Sequence, residues 1–141
     1  MTFASILQRR DGEIVQVAPG TPVRAAVELL ADHRIGAVPV VQDGQVIGIM
    51  SERDVIYALR RDGAEILDWP VERVMTQPAI TVEPAVGILT GLSLMTKRRI
   101  RHLPVVDGGR MVGFVSIGDL VKARIELIEG EAEAMRAYIA G

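Results

Sequence analysis

The chain contains no cysteine. That absence removes disulfide scaffolds, thiolate metal sites and cysteine nucleophiles together. Histidine occurs only at positions 33 and 102, too sparse for an imidazole metal site. An excess of one charge is also missing. The 16 Lys and Arg against 18 Asp and Glu leave a net charge of −2, which argues against bulk attraction to nucleic acid or an anionic membrane. The longest uncharged stretch, "PAVGILTGLSLMT" from Pro84, has 13 residues and is broken by glycine, short of the about 20 that span a bilayer. The opening "MTFASILQRRDG" lacks the apolar region of a signal peptide, so a soluble, cytoplasmic protein is the expectation. Neither a "GxxxxGK[ST]" loop nor a "GxGxxG" fingerprint occurs, and no serine has a nearby histidine to act as its base. No catalytic set emerges.

What is present is a duplication. In a chain of 141 residues, 49% of them apolar, sliding the sequence by 65 aligns residues 14–56 with 79–121 without a gap. Twelve of the 43 positions are identical, among them Pro19/Pro84, Pro39/Pro104, Gly44/Gly109, Gly48/Gly113, Ser51/Ser116 and Asp54/Asp119. Each half reads β-α-β-β-α. In the first, "EIVQV" is a strand, Thr21 caps a helix with Pro22 at its first position, and Val23, Ala26, Val27 and Leu30 form its buried face. "AVPVV", the turn "DG" and "VIGIM" make a hairpin, and a second helix runs from Ser51 to about Arg61. The second half repeats this with "AITV", a helix over 86–98, "HLPVV", "GG", "MVGFV" and a helix from Ser116. The expected fold is α+β: two such repeats about a pseudo-two-fold axis, because neither half is large enough to stand alone comfortably. The division is residues 1–62 with an N-terminal helix, a linker 63–78, a second repeat 79–122, and a helical extension 123–141. In the linker, "VERVM" resembles a short helix matching "ASIL" near the N-terminus, and Trp69 reads as a packing plug rather than a ligand platform. Along the extension, Val121, Ile125, Ile128, Ala132, Met135 and Ile139 keep a 4-3-4-3-4 spacing that suits a partner helix. The alternative, folding back on its own body, is less favoured because several turns extend beyond the repeat.

The frames "GIMSERD" and "GFVSIGD" admit two readings. Ser with an acidic residue three positions on resembles a capping box, which satisfies free amides at a helix start. The same helix start, with its unpaired N–H groups and positive dipole end, suits a phosphate, and an ionised Asp can accept both hydroxyls of a ribose. Apolar strand residues would then sandwich a planar base.

The duplicated unit, with "IGAVPVVQDGQVIGIMSERD" and "IRHLPVVDGGRMVGFVSIGD", resembles the cystathionine β-synthase (CBS) domain as a tandem pair, or Bateman module, over residues 6–122. Free-standing bacterial pairs of this length are similar to it. The resemblance implies a regulatory adenosyl ligand, AMP, ADP, ATP, NAD(H) or S-adenosylmethionine, in two clefts between the repeats, and a disc-like homodimer. It implies ribose contacts from Asp54 and Asp119, with Ser51 and Ser116 near ribose or phosphate. The strands before each proline would frame adenine: Gly36, Ala37, Val38 and Pro39 in one half, Arg101, His102, Leu103 and Pro104 in the other. Thr81 and Val82 occupy a further nucleoside-touching position, which Gln16 and Val17 match less clearly.

The halves differ where Arg53 stands beside Asp54 but Gly118 beside Asp119. The second half instead carries "KRRIRH", either a solvated helix end or, with Arg99, Arg101 and His102, a phosphate clamp. His33 has no such context and reads as a helix end. Two non-equivalent sites are therefore expected. A nucleotide sensor signalling to an unidentified protein partner ranks first, a structural homodimerisation module with degenerate sites second, nucleic-acid binding through "KRRIR" third, and an enzyme last.

Overall fold

The computed structural model describes residues 1–141. Each half is built on one β-hairpin: β1 (Ala37–Gln42) with β2 (Gln45–Ser51), and β3 (His102–Asp107) with β4 (Arg110–Ser116). Asp43, Gly44, Gly108 and Gly109 form the two-residue turns, all at positive φ, the conformation whose twist matches that of the flanking strands. The registers correspond residue for residue. Ala37 faces Ser51 as His102 faces Ser116, and a bulge follows Val40 and Val105 alike. The amide of Met111 donates to the Gly44 carbonyl (2.9 Å), joining the two hairpin tips.

The first strand expected in each half is reduced to a single residue. Val17 bridges Val40 in parallel, and Val82 bridges Val105. The Val17 amide donates to the Pro39 carbonyl (3.1 Å) and its carbonyl accepts from the Val41 amide (2.8 Å), with matching bonds at Val82. Proline stops the ladder on both sides. The next bond one way needs an N–H at Pro39 or Pro104, and the other way one at Pro19 or Pro84. Prolines shared by the two halves thus set the length of this third strand.

Helices α1 (Phe3–Gln8), α2 (Val23–His33), α3 (Glu52–Asp62), α4 (Ile88–Arg98) and α5 (Ile117–Ala140) complete the fold. Thr21 does not cap α2. Pro22 takes the cap position with no side-chain bond, and the Val23 amide donates to the Trp69 carbonyl (2.8 Å). The second helix likewise starts at Ile88 rather than 86, after a Gly87 cap, and its Ile88 amide donates to the Met1 carbonyl (3.1 Å). In both halves the first amide of the helix is satisfied by the backbone of a docked segment, in the first half in place of the Thr21 cap expected there. Only the tertiary structure brings that segment there.

Those docked segments also close the cores. In the first half, α2, the hairpin and α3 bury Val23, Ala26, Leu30, Val38, Val40, Met50, Val55 and Ala58. Ile66 and Val71 from the linker's 3₁₀ turns, Ala64–Asp68 and Val71–Arg73, and Val74 just after the second lie against them. In the second half the same place is filled by Phe3 and Ile6 of α1. Helix α1, grouped by sequence order with the first repeat, therefore packs on the second. Gly91 in α4 makes room for it, since a Cβ there would lie 2.5 Å from Phe3 Cζ. Trp69 packs half-buried against the first core with the Arg73 guanidinium 3.7 Å over its ring, a plug as expected.

Helix α5 has 24 residues, about 36 Å at 1.5 Å per residue. Its apolar seam does not fold back: Val121, Ile125, Ile128, Met135 and Ile139 are 43 to 75% exposed. No helix is long and apolar enough to cross a membrane.

Phe3→Ala should destabilise the chain by about 3–5 kcal/mol, the cost of emptying a fully buried aromatic site. Urea unfolding measures it; an unshifted midpoint would mean that α1 is not part of the core.

Candidate functional site

Ser51 and Ser116 end β2 and β4 and cap α3 and α5. In both, the serine hydroxyl accepts the amide of the Asp three residues on (3.2 Å), and that Asp accepts the serine amide (2.8 Å). Both frames are therefore capping boxes. Capping does not exhaust them, because a carboxylate has about four acceptor positions.

The remaining capacity is used differently in the two halves. Asp54 Oδ2 takes the Ser51 amide and hydroxyl, while Oδ1 accepts the Thr76 hydroxyl (2.8 Å). Asp119 Oδ2 takes the Ser116 amide and an ion pair from Arg10, and Oδ1 has no protein donor. The difference continues along the strand. Thr76 pairs its backbone with Ile49, donating to and accepting from it at 2.9 and 3.0 Å. At the equivalent Phe114, the carbonyl instead accepts from the Arg10 side chain (2.7 Å). One half is sealed by backbone, the other by one guanidinium.

A cleft of about 500 Å³ opens at Asp119 between the halves. The first half supplies Ile14, Val15, Ile35 and Ala37, and the second supplies His102, Val112, Gly113, Phe114, Ser116 and Asp119. Leu7 of α1 and the segment that follows, with Arg10, Asp11, Gly12 and Glu13, complete the wall. Val112 is the unpaired residue of the β3–β4 bulge and Gly113 follows it, a common way to re-aim a strand beside a site. The imidazole of His102 stacks on Phe114, with ring centroids 5.4 Å apart and planes 12° apart.

Of the residues singled out by sequence, Ala37, His102, Ser116 and Asp119 meet in this cleft. Gly36 lines a separate open groove between α2 and α3. Val38, Pro39, Leu103 and Pro104 are buried within the hairpins, and Val17 and Val82 lie in the cores. Gln16, Thr81 and Arg53 are exposed and line neither cavity. The clamp of Arg99, Arg101 and His102 does not assemble. Arg99 closes α4 in the left-handed conformation (φ 54°), and Arg101 stays exposed while its carbonyl accepts the Ile117 amide (2.8 Å). The asymmetry expected at Arg53 and Gly118 lies instead at Thr76 and Arg10. Arg10, Asp11 and Glu13 fall outside the aligned repeats, so no internal comparison could flag them. Ile14, Val15, Ile35 and Phe114 lie inside, as ordinary apolar positions.

Burial works against the Asp119 charge, but the Ser116 amide, the Arg10 guanidinium and the Ser116 hydroxyl outweigh it, so its pKa falls below the usual value. For His102, burial lowers the pKa; Asp119 and Glu52 pull it back up without cancelling the effect, and Arg101 adds to the lowering. The cleft thus holds an ionised carboxylate beside a neutral, stacked imidazole at neutral pH.

The cleft lies between two duplicated hairpin units, with a capping carboxylate in its wall. No group of His, Asp and Glu in it is placed to hold a metal ion. The sequence model of the CBS domain matches residues 7–61 and 71–126, and the chain belongs to that family as a CBS pair. It is 35% identical over 136 residues to the mitochondrial CBS domain-containing protein CBSX3 of Arabidopsis thaliana, covering 93% of this chain and 66% of that protein's length. A crystal structure of a CBS-domain containing protein from Agrobacterium tumefaciens superposes with a TM-score of 0.82 at 37% identity, over 88% of this chain and 99% of its own. The CBS domain pair of protein MJ0100, solved with 5′-methylthioadenosine and S-adenosyl-L-methionine, gives 0.76 at 25% identity, over 93% and 98%.

His102 makes the fold sensitive to acid. Its folded pKa lies below 6.5, so as pH falls through about 6.5 the unfolded chain takes up a proton first and stability drops. The loss ends once pH passes the folded value. Thermal melts across this range should show the drop, and His102→Gln should flatten it.

Proposed function

We propose that this CBS pair is a regulatory, non-catalytic module that binds an adenosyl ligand in the Asp119 cleft and reports its occupancy to a protein partner. The observation that carries the reading is Asp119 itself: ionised, held by its own helix cap, and set in the wall of a cleft of about 500 Å³. A ribose supplies the hydroxyl donors such an acceptor lacks. Ile14, Val15, Ile35 and Ala37 give the apolar walls that a planar base needs, and the His102–Phe114 stack borders them. The pair solved with 5′-methylthioadenosine and S-adenosyl-L-methionine supports an adenosyl moiety as the recognised element. AMP, ADP, ATP and NAD(H) share it. Asp54 and Ser51 are the equivalent capping pair of the first half, where Asp54 Oδ1 already accepts the Thr76 hydroxyl. A ligand shifts the conformational balance only by its differential affinity for the states, so the signal arises where ligand joins the two halves.

The working unit is a homodimer in this reading. Exposed Ile56 and Tyr57 on α3 and the seam of Val121, Ile125 and Ile128 on α5 present broad apolar surface that a second copy would cover. Light scattering should give twice the chain mass, and Ile125→Glu with Ile128→Glu should return the monomer. A wild-type monomer sinks the dimer.

Denaturing the purified protein and identifying what it releases tests the ligand directly. AMP, ATP, NADH and S-adenosylmethionine are then titrated against thermal unfolding. A true ligand at about 100 times its dissociation constant adds about 2.7 kcal/mol. Asp119→Ala should lose that gain, and an unchanged response would refute the ribose role.

A further inference from the structure

Arg10 lines the cleft and pairs with Asp119, the carboxylate that the proposed ribose would use. Its guanidinium reaches two acceptors at once, the Phe114 carbonyl (2.7 Å) and Asp119 Oδ2. In the other half these two contacts are made by Thr76, whose backbone pairs with Ile49 and whose hydroxyl bonds Asp54. The comparison is informative because Ile49 and Phe114, like Asp54 and Asp119, are equivalent positions of the duplication. Thr76 is fixed in place by a two-way backbone pair that keeps its hydroxyl beside Asp54, whereas Arg10 reaches Asp119 only through one long rotatable side chain. That side chain is 37% exposed and its carboxylate partner 36%, so water can replace the pair at small cost.

The walls sharpen the point. Asp11, Glu13 and Asp119 all line the cleft, and Arg10 is the one permanently charged cation among its lining residues. Taking Arg10 off Asp119 frees an acceptor and leaves the guanidinium at the mouth.

We infer that Arg10 is a displaceable latch: it occupies the Asp119 carboxylate in the empty cleft and yields it to the ribose hydroxyls of an incoming adenosyl ligand. The Asp119 cleft is therefore the half-site that loads, and the Asp54 half-site, sealed by Thr76, does not. This rests on the adenosyl reading of the cleft and adds which site fills and what must move. Arg10 sets the affinity of any ligand that must compete with it for Asp119.

Adenosine is the suitable probe, being uncharged and so not itself attracted to the guanidinium. Isothermal titration of the full chain should give one adenosine per chain. Arg10→Gln should bind about five-fold more tightly, the factor carried by a competing ion pair of about 1 kcal/mol. Arg10→Lys, which keeps the charge but not the planar fork, should fall between the two. Added salt should tighten adenosine binding to the wild type by screening the latch, and leave Arg10→Gln unchanged. Asp119→Asn should abolish binding and Asp54→Asn should not, with thermal melts confirming that each variant folds. Two adenosines per chain, or Arg10→Gln no tighter than wild type, would each overturn the latch while leaving the adenosyl reading intact; binding lost in Asp54→Asn but kept in Asp119→Asn would overturn the latch and the placing of the ligand at Asp119. A wild-type chain that binds no adenosyl compound at all would overturn both.

Discussion

The 3₁₀ turn Val71–Arg73 and helix α1 occupy equivalent places, each laying two apolar side chains against a half that lacks its own lid. Val71 and Val74 complete the first core, and Phe3 and Ile6 the second. The constraint behind this is size: a hairpin with two helices has too little apolar surface to exclude water from both sides. Each closing segment brings more than its side chains. Its backbone supplies the acceptor for the first amide of α2 or α4, through the Trp69 or Met1 carbonyl. Beyond the closing turn, the chain passes the end of β2 or β4, where the capping carboxylates stand. Core closure, helix capping and the layout of the candidate site thus depend on one docking event made twice.

The two copies differ after that point. In the linker the chain stays on the strand, and Thr76 bridges Ile49. After α1 it leaves the strand, running through Asp11, Gly12 and Glu13 to Ile14 and opening the cleft beside Asp119. Arg10 spans the gap with its side chain. A duplication that is regular in its hairpins, bulges and caps is therefore irregular in one connector. The cleft at Asp119 is bounded by that connector.

Much of this was legible beforehand, for identifiable reasons. The hairpins follow from "DG" and "GG" between alternating apolar runs, because residues at positive φ are needed there. The capping boxes follow from Ser-x-x-Asp at the end of a strand. The exposed seam of α5 follows from its spacing, and the placing of Asp119 in the inter-repeat cleft follows from the family resemblance. Other features were not legible in the sequence. The first strands shrank to single bridges, although Pro19 and Pro39 were in view; only the ladder shows which N–H groups are required. Thr21 yields its cap to a carbonyl 48 residues along, which no local rule contains. Arg99 and Arg101, close to His102 in sequence, are separated from the cleft by a helix end and a strand start.

By itself the sequence determined the duplicated unit, the capping carboxylates and the family, because each rests on short-range spacing that a single chain displays openly. Only the tertiary structure decided which lid closes which half and which cation meets Asp119. Those are matters of where distant segments dock. Docking is set by burial of Phe3, Ile6, Val71 and Val74 in cores whose other walls lie elsewhere in the chain. Arg10 has no counterpart in the repeat and no motif around it. It becomes significant only through the two oxygen atoms that the fold places within its reach.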